Sequence, residues 1–182
     1  MWPALLCLGF FGSMRGSEYT KSASNRPLVS HVKLGDTKAG PILTFSVKSS
    51  KTRHSGFTMH SGCSKKYICC PCTMIDYLNY RAEAGLLDSQ QDLFIDELNV
   101  VISKRMLDKK IKTLVELAGL DKDLYSTHSL RAGAATSAAE AGFSEWEIKD
   151  LGRWASSAYL LYVRQSHSRR WQYAARLAAS TR

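Results

Sequence analysis

Residues 128–164 read HSLRAGAATSAAEAGFSEWEIKDLGRWASSAYLLYVR and contain most of the candidate functional side chains of the chain. It begins with His128 and Arg131, which lie three positions apart and therefore share one face of a helix. It ends with Tyr162 and Arg164, after the tripeptide Gly-Arg-Trp that finishes at Trp154. Histidine, arginine and tyrosine side chains bind phosphate and transfer protons. The stretch therefore predicts a phosphodiester site carried on helices.

Cap signals divide the same stretch into several short helices. A serine or threonine at position 126 or 127 is expected to begin the first helix, and Gly142 is expected to end it. Residues 144–147 have the S-x-x-E spacing of a capping box, which predicts the start of another helix. A further helix is expected to carry both Tyr159 and Tyr162.

An amphipathic helix is predicted upstream, over residues 103–117, with Gly119 as its C-cap. One side of this helix is almost entirely basic. Its basic residues are Lys104, Arg105, Lys109, Lys110 and Lys112. Such a run is ordinarily a solvated face, but its single sign favours contacts with phosphates.

Residues 28–60 change to a period of two, which predicts a small antiparallel sheet. Leucine, phenylalanine and valine alternate with polar residues over positions 43–47, as in a half-buried strand. A turn is expected at residues 35–36, and residues 49–55 are expected to form a polar hairpin tip. The basic residues of this tip include Lys51 and Arg53.

Residues 2–12 are apolar and predict a buried helix near the start of the chain. Its expected core positions are Leu5, Leu6, Phe10 and Phe11. The run is too short to span a bilayer and lacks a basic n-region, so no membrane role is expected. Arg15 follows directly, with Glu18 close enough in sequence to orient its guanidinium.

The overall charge indicates a polyanionic partner. The chain has 182 residues, is 45% hydrophobic and carries a formal net charge of +9. A basic globular chain of this kind favours nucleic acid as a partner, although a basic protein without such a partner is the other interpretation. Because no carboxylate cluster suited to magnesium is apparent, a two-metal nuclease is disfavoured.

Five cysteines lie in the N-terminal half of the chain: Cys7, Cys63, Cys69, Cys70 and Cys72. Their odd number argues against a secreted disulfide scaffold. A zinc site would ordinarily need a second pair of ligands beside the C-x-x-C at positions 69–72, and the nearby Cys63 and His60 leave that alternative open. The favoured interpretation is a set of buried or half-buried thiols where a helix begins, with Pro71 in its first turn.

Taken together, the motifs resemble those of the catalytic domain of tyrosine recombinases, the phage-integrase family, over nearly the whole chain. FFGSMRGSE is similar to the first arginine motif, KSSKT to the hairpin lysine, and HSLR to the H-x-x-R box. LGRW fits a position that the family fills with His or Trp, and a tyrosine-hydrophobic-arginine sequence follows. The style of these motifs is most like that of recombinases from eukaryotic DIRS-like retroelements.

The resemblance implies an α+β, mainly helical fold with a small antiparallel sheet near the N-terminal third. Residues 1–182 are expected to form a single catalytic domain that lacks the family's upstream core-DNA-binding domain. The catalytic residues implied by the resemblance are Arg15, Lys51, His128, Arg131, Trp154 and Tyr162, with Glu18 in support. No cofactor and no metal ion are expected.

The resemblance also implies the activity of a site-specific DNA recombinase or integrase. Tyr162 is the expected nucleophile, giving a 3′-phosphotyrosine, and Lys51 is the expected general acid. Arg15 and Arg131 are expected to clamp the phosphate, and His128 to act as acid or base. The alternatives are a type IB topoisomerase-like nicking-closing enzyme, or an inactive DNA-binding protein derived from a mobile element.

Double-stranded DNA is the expected partner, bound by a homo-oligomer, in this family a tetramer. The expected location is the nucleus in a eukaryote, or the cytoplasm and nucleoid in a prokaryote. The side chains expected to contact DNA outside the catalytic set are Arg53, Lys104, Arg105, Lys109, Arg153 and Arg164.

Overall fold

The structure is a computed structural model that describes residues 1–23, 25–48, 56–163 and 178–179. Its described part is mainly helical, with one three-stranded sheet, so the predicted α+β class is confirmed. The helices are α1 (Trp2–Phe11), α2 (Gly16–Tyr19), α3 (Cys70–Glu83), α4 (Lys104–Leu117), α5 (Thr127–Glu140) and α6 (Glu145–Gly152).

The chain divides into two compact units, Met1–Arg131 and Ala132–Arg182. The division falls within α5. That residues 1–182 act as a single catalytic domain stays a prediction.

The sheet lies in the first unit and is antiparallel throughout. Its strands are β1 (Val32–Thr37), β2 (Gly40–Val47) and β3 (Phe57–Gly62), in that order across the sheet. Alternate residues of β2 face inward, since Leu43 and Phe45 are completely buried. The strands therefore carry the period of two that the sequence shows.

The prediction of a turn at residues 35–36 is wrong, because both residues belong to β1 and pair with residues of β2. The chain turns instead at residues 38–39 and enters β2 at Gly40, where φ is +117°. The Thr37 hydroxyl donates a 2.8 Å hydrogen bond to the Gly40 carbonyl and closes the turn. The left-handed region that favours glycine is thus needed at Gly40 and not at Gly35.

Helix α1 packs against α3 and supplies much of the core of the first unit. Its buried residues include Ala4, Leu5 and Leu8, whereas the expected core residues Leu6, Phe10 and Phe11 are only half-buried. Among the described residues, no helix combines the length and the apolar character needed to cross a membrane.

Helix α4 begins and ends near the predicted positions. The Ser103 hydroxyl caps it by accepting a 3.3 Å hydrogen bond from the Met106 amide. Leu107 and Ile111 are buried on its apolar face. The prediction of Gly119 as C-cap is wrong by one residue: the C-cap is Ala118, and Gly119, with φ of +74°, follows it.

The second unit is built around the end of α5 and the short helix α6. The capping box predicted at residues 144–147 is confirmed, because the Ser144 hydroxyl and the Glu147 carboxylate each accept the other residue's amide. The core of this unit contains Ala135, Ala138, Ala139, Ile148 and Tyr159. The helix expected to carry two tyrosines is a 3₁₀ helix, Ser157–Leu161, and Tyr162 is the residue that follows it.

Candidate functional site

Arg15 is fixed by the carboxylate of Glu18 at the point where α2 begins. The Arg15 amide donates to Glu18 Oε2 at 2.8 Å, and its Nη1 donates to Oε1 at 3.1 Å. The Glu18 side chain is 1% exposed, whereas that of Arg15 is 24% exposed. A buried carboxylate therefore orients a guanidinium that reaches the surface.

Arg131 is held by the chain segment that leads to Arg15. It is 1% exposed, and its Nη1 donates a 2.6 Å hydrogen bond to the Ser13 carbonyl. Ser13 has φ of +44°, in the left-handed region, where α1 gives way to the next segment. The start of α5 is thus tied to the connection between α1 and α2.

His128 lies on the surface in the first turn of α5, where its amide donates to the Ser126 hydroxyl at 3.3 Å. Partial burial of the ring and the positive charges of Lys104, Arg131 and Arg15 lower the pKa of His128, and Asp108 opposes them. The surroundings therefore favour the neutral imidazole, which can accept a proton.

The starts of α2, α4 and α5 meet at Gly16. A Cβ added to Gly16 would lie 3.1 Å from Thr127 Cβ and 3.2 Å from Lys104 Cγ. Asp108 of α4 also accepts the Thr127 amide at 3.0 Å. Close packing here brings together one set of basic side chains: Arg15, Lys104, His128 and Arg131. Such a set is suited to binding a phosphate.

Trp154 and Tyr162 lie together in the second unit. Their ring centroids are 5.6 Å apart, with an interplanar angle of 37°. The indole lies against Gly152, where a Cβ would overlap its ring atoms. Arg153 adopts the left-handed conformation, with φ of +56°, and turns the chain after α6. Glycine is therefore required before the arginine of the Gly-Arg-Trp sequence.

The two neighbouring tyrosines have different surroundings. Tyr159 is 7% exposed, and its pKa is raised by burial and by Glu145, against the effect of Lys149, whose Nζ lies 5.7 Å from the ring centroid. Tyr162 is only half-buried, and its carbonyl accepts a 2.8 Å hydrogen bond from the Thr136 hydroxyl. The position of the Tyr162 backbone is thus fixed while its ring keeps access to solvent.

Three of the predicted residues, Lys51, Arg53 and Arg164, lie outside the described residues. The other residues expected to contact DNA lie in the described part of the chain. Arg153 Nη1 donates to the Leu151 carbonyl at 3.1 Å. The expected contacts on α4 are exposed, and none of them forms an ion pair within the described part of the chain: Lys104, Arg105 and Lys109.

The other two basic residues of α4 have protein partners. Lys110 Nζ lies 5.6 Å from the centroid of the Trp2 ring, and Lys112 pairs with Asp123 at 3.5 Å. The basic side of α4 therefore divides into cations already used in the fold and cations that face solvent.

Several residues that build the site carry no sequence signal for this role. Ser13 accepts this hydrogen bond through its backbone carbonyl, so its side chain gives no sequence signal for the contact. Asp108 and Thr136 make contacts with residues distant in sequence, which no local pattern indicates. Only Gly152 has a visible signal, because it immediately precedes Arg-Trp.

Comparisons with known proteins identify the fold. No protein-family profile and no curated protein matches the sequence. The XerH site-specific recombinase, in its post-cleavage complex with palindromic difH substrate, superposes with a TM-score of 0.66 and 17% identity, covering 94% of this chain and 44% of that chain. XerA recombinase gives a TM-score of 0.64 and 21% identity, over 95% of this chain and 57% of that chain.

The Tn1549 transposon integrase in complex with transposon right end DNA gives a TM-score of 0.58 and 14% identity, over 98% of this chain and 59% of that chain. The chain therefore has the fold of the tyrosine-recombinase catalytic domain, as the sequence motifs predicted. It spans 44% to 59% of the length of these three chains.

Proposed function

We propose that this chain is the catalytic part of a tyrosine recombinase that cuts and rejoins DNA. Three observations support the proposal: the recombinase catalytic fold, the basic cluster around Gly16, and the net charge of +9. A fold alone does not specify an activity, so the proposal depends on the side chains placed on it.

In the proposed reaction, the Tyr162 hydroxyl attacks a DNA phosphodiester. The bond from phosphorus to the 5′-oxygen breaks, the 3′-phosphate becomes linked to the tyrosine oxygen, and a 5′-hydroxyl leaves. A 5′-hydroxyl from a partner strand then attacks the phosphotyrosine and releases Tyr162. Bond energy is retained in the intermediate, so rejoining needs no cofactor.

The basic residues divide the remaining work. Arg15 and Arg131 bind the non-bridging oxygens, which gain negative charge in the transition state. Lys51 protonates the leaving 5′-oxygen. The surroundings of His128 favour its neutral form, which takes up the proton of the Tyr162 hydroxyl and returns it in the reverse step. The Trp154 indole N–H donates a hydrogen bond to the phosphate.

The single observation that carries the choice of nucleophile is the contrast between the two tyrosines. Tyr159 is a core residue whose phenolate is disfavoured by burial, whereas Tyr162 is half-buried and held by its backbone. A nucleophile must reach its substrate, so Tyr162, the more exposed of the two, is the better candidate.

A suicide-substrate experiment tests the proposal. The chain is incubated with a library of randomised DNA duplexes that carry a nick, so that cleavage releases a short fragment and traps the covalent complex. Covalent complexes are isolated under denaturing conditions, the linked DNA is sequenced, and the modified peptide is identified by mass spectrometry. We expect wild type and Tyr159→Phe to form the adduct on Tyr162, and Tyr162→Phe to form none while still binding DNA. No adduct with wild type, or an adduct on Tyr159, would contradict the proposal.

We further propose that the recombinase belongs to a mobile element of the DIRS-like retroelement type. The support is the pattern HSLRAG, LGRW and AYLLY in residues 128–162. By the same resemblance, the working form would be a homotetramer on DNA, and the location would be the nucleus. Four-stranded synapsis of trapped duplexes would distinguish this from a topoisomerase, which acts on one duplex.

A further inference from the structure

Three cysteine sulfurs converge where β3 ends and α3 begins. Cys63 follows β3 directly, Cys69 is the N-cap of α3, and Cys72 lies in its first turn. The Sγ atoms of Cys63 and Cys69 are 3.5 Å apart, and those of Cys63 and Cys72 are 3.8 Å apart. All three lie within 4.8 Å of one another.

These separations match the coordination shell of a zinc ion. A tetrahedral site with Zn–S bonds of about 2.3 Å has neighbouring sulfurs about 3.8 Å apart. A disulfide would use only two of the three sulfurs and draw them to about 2.05 Å. Three sulfurs from two separate segments, with both separations from Cys63 close to the tetrahedral spacing and the third within 4.8 Å, fit a shared ion better than a single bond.

The connection between the first two cysteines is shaped around the Cys63 sulfur. Lys65 adopts the left-handed conformation, with φ of +52°, and its amide donates to Cys63 Sγ at 3.4 Å. The Ser64 hydroxyl donates to the Ile68 carbonyl at 2.8 Å. Tyr67 is fully exposed and Ile68 is 59% exposed, so the apolar side chains of this loop contribute little burial. Amide donors to sulfur are the outer-shell contacts that stabilise a metal-bound thiolate.

The neighbouring candidate ligands point elsewhere. Cys70, between the two α3 ligands, is 2% exposed and belongs to the core with Met74 and Tyr77. His60 is directed toward β2 rather than toward the three sulfurs, since its Nδ1 lies 3.3 Å from the hydroxyl of Thr44, its partner in the sheet. The zinc alternative that sequence left open therefore needs a different ligand set, without His60.

We propose that Cys63, Cys69 and Cys72 bind one zinc ion that joins the end of β3 to the start of α3. Thiolate ligands select soft or borderline ions, and three at tetrahedral spacing favour zinc over magnesium or calcium. Cys63 and Cys72 are half-buried, so solvent reaches the fourth position. None of the three ligands belongs to the residues expected to act on a phosphodiester, and the role of the ion in this proposal is to hold the end of β3 against the start of α3.

Metal content and cobalt spectroscopy test this directly. The chain is purified under reducing conditions with zinc present, and bound zinc is measured by mass spectrometry. Co²⁺ then replaces zinc, and its absorption reports sulfur ligands through charge transfer and tetrahedral geometry through intense d–d bands. We expect one zinc per chain and a cobalt spectrum of a tetrahedral site with several thiolates.

Serine variants identify the ligands. Cys63→Ser, Cys69→Ser and Cys72→Ser should each weaken zinc binding by more than the roughly 10- to 100-fold that loss of an outer-shell contact costs. The matched control is Cys70→Ala, which removes the adjacent thiol that faces the core, and Cys7→Ala is a second buried-thiol control. Both should keep one zinc per chain.

A measurement on the unaltered chain guards against variants that fail to fold. Adding Zn²⁺ to the metal-free, reduced chain should raise its melting temperature, and adding Mg²⁺ should not. The proposal is overturned if the reduced chain takes up no zinc, if Cys70→Ala loses zinc as the three serine variants do, or if alkylation mapping finds a disulfide among the three cysteines in place of the ion. Metal content does not depend on DNA cleavage, so this result stands apart from the proposed function.

Discussion

Arg131 is a completely buried charged residue, so its removal should affect both the stability of the fold and the proposed cleavage of DNA. The residue is 1% exposed, and its Nη1 donates to the Ser13 carbonyl at 2.6 Å. Arg131→Ala should destabilise the fold by about 1–3 kcal/mol, because a buried acceptor loses its donor. It should also slow DNA cleavage by about 10²-fold or more, because the phosphate loses a clamp.

Arg131→Lys separates these two effects. Lysine keeps the charge but not the planar fork, so it should recover stability better than cleavage. Urea unfolding and single-turnover cleavage, measured on both variants and on the exposed-site control Arg105→Ala, provide the comparison. Wild-type cleavage by a folded Arg131→Ala chain would refute the clamp.

His128 should make stability depend on pH in a defined direction. Partial burial of the ring, with Lys104, Arg131 and Arg15, holds the pKa of the folded state below the ordinary value of 6.5. Between the folded and unfolded pKa values the unfolded chain binds more protons, so stability falls as pH falls below 6.5. The contribution is fully present above that value.

Unfolding by urea at a series of pH values between about 8 and about 5 measures this effect. His128→Gln should flatten part of the fall, because glutamine does not titrate. His31, whose pKa is lowered by burial and by Lys48, accounts for a separate part that remains in the variant. Identical pH profiles for wild type and His128→Gln would show that the ring is not held neutral.

The sequence indicated the local placement of these side chains better than the distant groups that hold them. The spacing of His128 and Arg131 predicted one helix face, and Glu18 was recognised beside Arg15. The Ser13 carbonyl that holds Arg131 is a backbone group far away in sequence, so no residue pattern could mark it. Local spacing predicts local geometry, whereas long-range supports require the fold.

The hairpin between β2 and β3 depends on one glycine. Gly56 has φ of +70°, and a Cβ there would overlap the Val47 carbonyl oxygen and lie 2.6 Å from that of Lys48. Gly56→Ala should therefore cost at least the roughly 1–3 kcal/mol of a strained backbone. Since the hairpin carries Lys51, cleavage should also fall, even in the folded fraction.

The control for this prediction is Gly62, at the other end of the same strand. A Cβ at Gly62 meets nothing within 4 Å, so Gly62→Ala should change stability by no more than about 0.5 kcal/mol. Thermal and urea unfolding of the two variants make the comparison. Equal stabilities for Gly56→Ala and Gly62→Ala would show that the close approach to Val47 does not limit the hairpin.

Elements were predictable where their periodicity was distinct. Helix α4 and the α6 capping box followed from amphipathic spacing and S-x-x-E. Helix α1 is apolar on every side, so sequence gave no basis for choosing Leu8 over Phe10 as a core residue. The helix expected to carry both tyrosines is a 3₁₀ helix that ends at Leu161, so Tyr162 lies just beyond it.

The fold as a whole was predictable because motifs from both compact units resemble a single family. No sequence profile matches the chain, and the solved recombinases share only 14% to 21% of its residues. Identity at this level follows from a core that tolerates many apolar substitutions, while a few polar positions remain recognisable. Composition and periodicity alone would have reached the fold class but not the family's fold.

The net charge of +9 leads to a last prediction, on the salt dependence of DNA binding. Arg105 and Lys109 project from α4 into solvent, without ion pairs in the described part of the chain. If each neutralises one phosphate, the double variant Arg105→Gln/Lys109→Gln should lower the slope of log K against log salt by about 1.8 in magnitude, at about 0.9 per contact.

The control is Lys33→Gln/Lys38→Gln, which makes the same change of net charge on exposed residues of β1 and its turn. Fluorescence anisotropy with a labelled duplex, at rising KCl concentrations, gives both slopes. A smaller slope for the α4 variant alone would place phosphate contacts on that helix. Equal slopes for the two double variants would show that the DNA affinity depends on the overall charge of the protein, and that α4 makes no phosphate contacts of its own.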